Sequence, residues 1–171
     1  MKENISIYEY RMVGMRHLGC ILKREDEMSG KFIVGYDGSA ASRRALDFAI
    51  ERAKAQGGSV LIAHVLDWSP YSFLTPTELE ERHKRRGEEL ARADSAVIAP
   101  IVEEVSGAGV TISTAIKYGK VADVLADLAK DAGESQLVIG RDGESGLAAR
   151  VFGSVAGALV QVSPVPCTIV P

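Results

Sequence analysis

"FIVGYDGSAASRRALDFAIERAKAQGGSVLIAHVLD", residues 32–67, runs from one apolar stretch through an amphipathic segment into a second apolar stretch. "FIVGYD" (32–37) is short and almost wholly apolar, as suits a strand buried on both faces. The following segment sets Leu46, Ala49, Ile50 and Ala53 on one side at helical spacing. Ser39 and Ser42 are both candidate N-caps, and Gly57-Gly58 ends the helix. "SVLIAHVLD" (59–67) is then the second strand. A strand, a helix and a strand of these lengths form a β-α-β unit, whose strands lie parallel and whose crossover is right-handed.

The alternation continues to the end of the chain. The loop "WSPYSFLTP" leads into a helix over residues 77–106, entered through Thr77, with Leu90, Val97, Ile101 and Val105 as its stripe. "GVTISTAIKYG" is a third strand. "KVADVLADLAKDAG" is a helix with the stripe Val121, Val124, Leu125 and Leu128. "SQLVIG" is a fourth strand, residues 153–162 a short helix, and "CTIVP" a fifth strand. The predicted fold is α/β, an open doubly wound five-stranded parallel sheet with helices on both faces. Ligands of such sheets bind beyond the carboxyl ends of the strands, where the strand order reverses. Those ends are residues 35–39, 63–68, 116–120 and 140–154.

A chain of 171 residues is long enough for one domain with a proper core. Residues 1–30 lack the periodicity of the rest and carry the charge run "KREDEM". They read as a loosely ordered extension or an over-long start, with an amphipathic partner-binding segment as the alternative. The domain proper is 31–171. At 46% apolar and 25% charged residues, the composition is that of a soluble globular protein. A net charge of -3 and 6% aromatics speak against a nucleic-acid surface. Cys20 and Cys167 form no CxxC pair and are expected as reduced thiols in the cytoplasm. The three histidines have no metal-ligand spacing among themselves or with the cysteines. No apolar run is long enough for a membrane span. "MVGMRHLGCIL" is interrupted by Arg16 and His17, which makes it a poor signal peptide.

Two stretches carry candidate chemistry. Gly140, Gly143 and Gly153-Ser154 form the pattern G-x2-G-x9-G-[ST]. Glycines let a backbone approach a ligand, and a helix N-terminus favours a phosphate. The alternative is a turn shaped by Gly140 and Gly143, with Ser154 as a helix cap. The pattern is neither the P-loop nor the GxGxxG dinucleotide fingerprint. "VGYDGS" (34–39) ends strand one with Asp37, suited either to a ribose hydroxyl or magnesium, or to an Asx-turn or cap. His64 ends strand two without a nucleophile motif and reads as a packed histidine. Cys167 reads as a small hydrophobe, and "ERHKRRGEE" (81–89) as a solvated helix face.

Together these stretches resemble the universal stress protein family. "FIVGYDGSAASRRALDFA" looks like that family's opening strand and helix, "LIAHVLD" like its second strand, and "SPVPCTIVP" like its closing strand. Residues 140–154 match its ATP-binding pattern at every specified spacing. The resemblance runs from about Lys31 to Pro171 and implies strand order 3-2-1-4-5, with Asp37 and Gly140 facing each other across the switch point. It implies ATP or AMP as ligand, with magnesium as a companion at Asp37. Asp37 would then lie near ribose and phosphates, with Gly35 and Tyr36 in the same binding set. Val65 would meet adenine through its backbone. Ile139, Gly140 and Gly143 would line ribose and phosphates, and Gly153, Ser154 and Val155 would hold the phosphate end. The resemblance also implies a homodimer through the last strand, which fits an apolar "CTIV" edge. One departure stands out: Arg141-Asp142 replaces the small or basic pair usual between the first two glycines. A carboxylate about 4 Å from a phosphate charge is repulsive by ~1 kcal/mol in water.

The function implied is a nucleotide-dependent dimeric regulator of stress responses, acting on an unidentified regulatory partner. Any ATP hydrolysis is expected to be slow, since no general base or arginine finger stands out. A dimeric interaction module with a degenerate pocket is the alternative. An adenylyl transferase or ATP pyrophosphatase would need HxGH-like or SGGxDS-like signatures, and neither occurs.

Overall fold

A computed structural model describes residues 30–66, 76–133, 135–143 and 153–171. The expected extension at residues 1–30 lies outside the described residues but for Gly30. So do most of the loop 68–76 and the nine residues between Gly143 and Gly153.

The elements alternate as expected: β1 (Lys31–Gly35), α1 (Ala40–Gln56), β2 (Ser59–Leu66), α2 (Pro76–Ala93), α3 (Ala99–Val105), β3 (Thr111–Tyr118), α4 (Val121–Asp131), β4 (Ser135–Gly140), α5 (Ser154–Val162) and β5 (Cys167–Val170). The five strands form one sheet in the order β3-β2-β1-β4-β5, and every pairing is parallel. β1 lies at the centre, with Ile33 beside Leu61 of β2 on one side and Leu137 of β4 on the other. The chain winds outward from β1 in both directions, so the order reverses between β1 and β4.

Alternation along the strands divides the core in two. Phe32, Val34, Val60, Ile62 and Val138 face one layer and pack with Ala45, Leu46 and Ala49 of α1 and Ile101 and Val105 of α3. Ile33, Leu61, Ala63, Leu137 and Ile139 face the other, with Leu125 and Ala129 of α4 and Ala156 and Leu159 of α5. The period of two sends neighbours to opposite faces, and helices seal both. The apolar strands therefore read as continuous runs.

The N-cap of α1 is Ser39, whose side chain accepts from the Ser42 backbone N–H at 3.1 Å. At its other end Gly57 adopts φ 67° and returns its N–H to Ala53, the left-handed cap that glycine tolerates. The helix expected over 77–106 differs in two respects. It starts at Pro76, ahead of Thr77, because proline is well suited to a first helical position. It is also not continuous: a π-helical turn occupies Asp94–Ile98, between α2 and α3. Pro100 explains the break, since its ring crowds the carbonyl four residues back and it has no N–H to offer. The wider turn brings Ala93 and Ile98, five residues apart, into the core together. The apolar stripe thus passes through Ile98, 2% exposed, while Val97 turns toward the loop after β1, with its Cγ1 3.9 Å from the Cβ direction of Gly38.

Candidate functional site

The carboxyl ends of β1, β2 and β4 open onto a cleft of about 720 Å³, its solvent-facing mouth included. It lies at the β1/β4 switch point, bordered by the N-terminal ends of α1, α4 and α5.

At the end of β1 the backbone is fixed on both sides. The Tyr36 N–H donates to Ala63 at 2.9 Å, and the Tyr36 carbonyl accepts from His64 Nδ1 at 2.8 Å. His64 is therefore a structural donor, as its motif-free context implied. Burial pushes the Tyr36 phenol above its ordinary pKa, partly offset by Arg43. Asp37 Oδ1 then accepts the Ser39 N–H at 3.0 Å, an Asx-type turn, and Gly38 follows at φ 86°. The other carboxylate oxygen, Oδ2, lies 3.4 Å from where a Cβ on Gly143 would sit. One carboxylate thus shapes its own turn, the Asx-type reading of Asp37, and borders the glycine loop.

Ser42 carries weight that its sequence position hid. It is 4% exposed and lines the cleft. Its Oγ donates to the Ser39 carbonyl at 2.9 Å and accepts the Asp37 N–H at 3.4 Å. It locks the β1–α1 turn, and Ser39 alone is the N-cap.

On the other side of the switch point, Arg141 is held by its backbone. Its N–H donates to Val170 at 2.7 Å, and its carbonyl accepts the Gly153 N–H at 2.9 Å. These bonds extend the β4–β5 ladder by one step and draw the start of α5 against it. The motif glycines divide by role. A Cβ on Gly140 would lie 2.7–2.9 Å from the Ala41 backbone and Cβ, and one on Gly153 would lie 2.9 Å from the Arg141 carbonyl. Both are demanded by the protein's own packing. Among the described residues Gly143 has no such contact under 3.4 Å. Gly140 therefore faces α1, and it is Gly143 that approaches Asp37.

α5 begins at Ser154, with Gly153 as N-cap and no side-chain cap hydrogen bond. The cap role weighed for Ser154 is not what it does. The first intrahelical donor is Gly157, to Gly153 at 3.0 Å, so the N–H groups of Ser154, Val155 and Ala156 have no partner within the helix. All three residues line the cleft. α4 also starts here, at Val121, again without a side-chain cap bond.

All ten residues singled out from the sequence line this one cleft: Gly35, Tyr36, Asp37, Val65, Ile139, Gly140, Gly143, Gly153, Ser154 and Val155. The structure adds Ser42, Ala63, Val121, Leu125, Arg141, Asp142 and Ala156. The floor is apolar, through Val65, Leu125 and Ile139, and the rim is polar. Arg141 pairs with its neighbour Asp142 at 3.3 Å, both side chains about half exposed. Among the described residues no group of three or more His, Cys, Asp or Glu side chains could hold a metal ion.

This fold has known counterparts. The sequence profile of the Universal stress protein family matches residues 28–171. Universal stress protein YxiE of Bacillus subtilis is 30% identical over 156 residues, covering 84% of this chain and 99% of its own length. The structure of universal stress protein UspA from Lactobacillus plantarum superposes with a TM-score of 0.71 at 23% identity, over 84% of this chain and 98% of that one. A universal stress protein solved in complex with cAMP superposes at 0.58 with 28% identity, over 83% and 97%. With the profile spanning nearly all of the five-stranded sheet and a relative matched almost end to end, this chain belongs to the universal stress protein family.

Proposed function

We propose that the cleft binds an adenine nucleotide, ATP or AMP, and that the protein acts as a nucleotide-dependent dimeric regulator of stress responses rather than as a fast enzyme. The observation that carries this reading is the start of α5. Three N–H groups without intrahelical partners, at the positive end of the helix dipole, border a cleft with an apolar floor. That is a phosphate site beside a place for a base. The similar protein with cAMP bound supports the same reading. In the proposed complex of this chain, Val65 meets adenine, Asp37 with Gly35 and Tyr36 lies by the ribose and phosphates, Ile139, Gly140 and Gly143 line them, and Gly153, Ser154 and Val155 hold the phosphate end.

Magnesium fits only as a companion of bound phosphates, with Asp37 as its protein contact, because magnesium is commonly held by one or two carboxylates plus substrate oxygens. Slow hydrolysis at most belongs to the same reading, since His64, held by the Tyr36 carbonyl, is not among the residues lining the cleft. Dimerisation through β5 is part of the proposal. β5 is an edge strand, and α5 beside it exposes Val160 and Val162, at 67% and 49%. No helix among the described residues is long and apolar enough to cross a membrane, and a cytoplasmic location belongs to the same reading.

One observation favours a second reading, a dimeric interaction module without nucleotide: Asp142 places a carboxylate at the cleft rim. Denaturing the purified protein and identifying released nucleotide by mass spectrometry separates the two, followed by calorimetric titration of AMP and ATP with and without magnesium. Released adenine nucleotide or saturable binding is expected. No released nucleotide, with no binding up to millimolar ligand, would overturn the proposal.

A further inference from the structure

We propose that His64 is a positioning residue for the nucleotide: from the far face of the sheet it holds the Tyr36–Asp37 peptide, and through it the Asp37 carboxylate. The inference rests on the nucleotide-binding reading above, which sets Asp37 beside the ribose and phosphates.

His64 stands outside the cleft. Alternation along β2 turns Ala63 and Val65 to the cleft side, and both line it. Val60 and Ile62 face the other layer, toward α1 and α3. His64 shares their face and is half-buried there. Its imidazole therefore reaches a bound ligand only through other atoms.

What the ring holds is the backbone where β1 stops. A backbone rung runs from the Tyr36 N–H to the Ala63 carbonyl at 2.9 Å. Just beyond it, the Tyr36 carbonyl meets His64 Nδ1 at 2.8 Å. A carbonyl only accepts, so Nδ1 carries the proton. The other end of the same peptide is held as well, because the Asp37 N–H donates to Ser42 Oγ at 3.4 Å. Ser42 is fixed in turn by its bond to the Ser39 carbonyl at 2.9 Å. A peptide unit is planar. Gripped at its carbonyl from β2 and at its N–H from α1, it cannot turn.

The Asp37 carboxylate depends on that grip. Its Oδ1 accepts the Ser39 N–H at 3.0 Å, and its Oδ2 borders Gly143. On the downstream side the next residue is Gly38, at φ 86°, and glycine leaves the chain conformationally free. The restraint on Asp37 therefore comes from the upstream peptide, and the shorter of its two bonds is the one from His64.

The test compares His64→Leu with His64→Asn in the full chain. The two side chains are close in size, but only asparagine carries a nitrogen donor on Cγ, where Nδ1 stands. In titration calorimetry with AMP, His64→Leu should bind about three- to tenfold more weakly than the parent, the worth of one neutral hydrogen bond. His64→Asn should stay within about twofold. Adding His64→Leu to Asp37→Ala should weaken binding by less than about twofold further, because the effect passes through Asp37. Without ligand, amide exchange at residues 36–39 should quicken in His64→Leu and not in His64→Asn. If His64→Leu does not fold, His64→Ala takes its place. Parent-like affinity or parent-like exchange in His64→Leu, an equal loss in His64→Asn, or a full further loss on top of Asp37→Ala would overturn this inference and leave the nucleotide site standing. A parent that binds no AMP would remove both.

Discussion

Replacing Gly140 by alanine tests whether the first motif glycine serves the fold. The added methyl would sit 2.7 Å from the Ala41 carbonyl carbon, 2.8 Å from its Cβ and 2.9 Å from its oxygen. Ordinary carbon contacts begin near ~3.5 Å, so β4 and the first turn of α1 must part by about 0.8 Å. Two of the three atoms are backbone, so no side chain can swing aside. The same turn carries the Ser39 cap, and the helix behind it buries Ala45, Leu46 and Ala49. Overpacking of this kind costs about 1–3 kcal/mol. In a protein of this size, each kcal/mol is worth roughly 2–4 °C in Tm, so a fall of about 2–12 °C is expected. Gly143→Ala is the matched control. Among the described residues its methyl meets only Asp37 Oδ2, at 3.4 Å, and Gly143 is not among the glycines with positive φ. Its stability should stay within about 0.5 kcal/mol of the parent, while the methyl narrows the cleft and weakens nucleotide binding. Urea denaturation of both variants, with AMP titration of the second, is the assay. Equal stability of Gly140→Ala and the parent, or an equal loss in both variants, would refute the reasoning.

Ser39→Ala removes the α1 cap and should lower stability by about 0.5–2 kcal/mol in chemical denaturation. Arg43 pairs with Glu104 at 2.6 Å and Asp47 at 3.1 Å, and its hydrogen bond holds the Glu104 carboxyl below the ordinary 4.5. A lowered folded pKa contributes stability above the unfolded value and loses it as pH falls. The stability gap between the parent and Arg43→Gln should therefore be open at neutral pH and close as pH drops below 4.5. Denaturation curves across that range check it, and a gap that widens in acid would refute it. Burial raises the Cys167 thiol above its ordinary pKa. In a Cys20→Ser background it should react slowly with a disulfide reagent when folded and much faster in urea; equal rates would count against it.

The alternation of strands and helices was legible because the inner strands β1, β2 and β4 are buried on both faces and the helices on one, which writes continuous runs and stripes into the chain. The Gly57 stop was legible from its residue type, and the α1 cap was narrowed to Ser39 or Ser42, of which the structure selects Ser39. The break after Ala93 was not read, although Pro100 marked it, because the stripe through Val97 looked unbroken. Helical spacing assumes four-residue steps, and the π turn makes one of five. Ten cleft residues could be named because the family resemblance supplied both the strand order and the binding positions, and all ten line the cleft. What each does there was less legible. A glycine in a sequence shows that space was left empty without showing which neighbour fills it, and at Gly140 that neighbour is Ala41, distant in the chain. Ser42 and the Arg141–Asp142 pair depend on orientation, which spacing does not encode.

The close seating of Gly140 on Ala41 and of Gly153 on the Arg141 carbonyl also bears on descent. Two of the three spaced glycines are held in place by foldability itself. A lineage that ceased to use its ligand would shed them only at the expense of stability, long after selection on binding had lapsed. Gly143, which no close contact among the described residues requires, is where such drift would register first. Within this architecture the spaced pattern testifies to common ancestry more strongly than to present occupancy, and its middle glycine is the more informative witness of use.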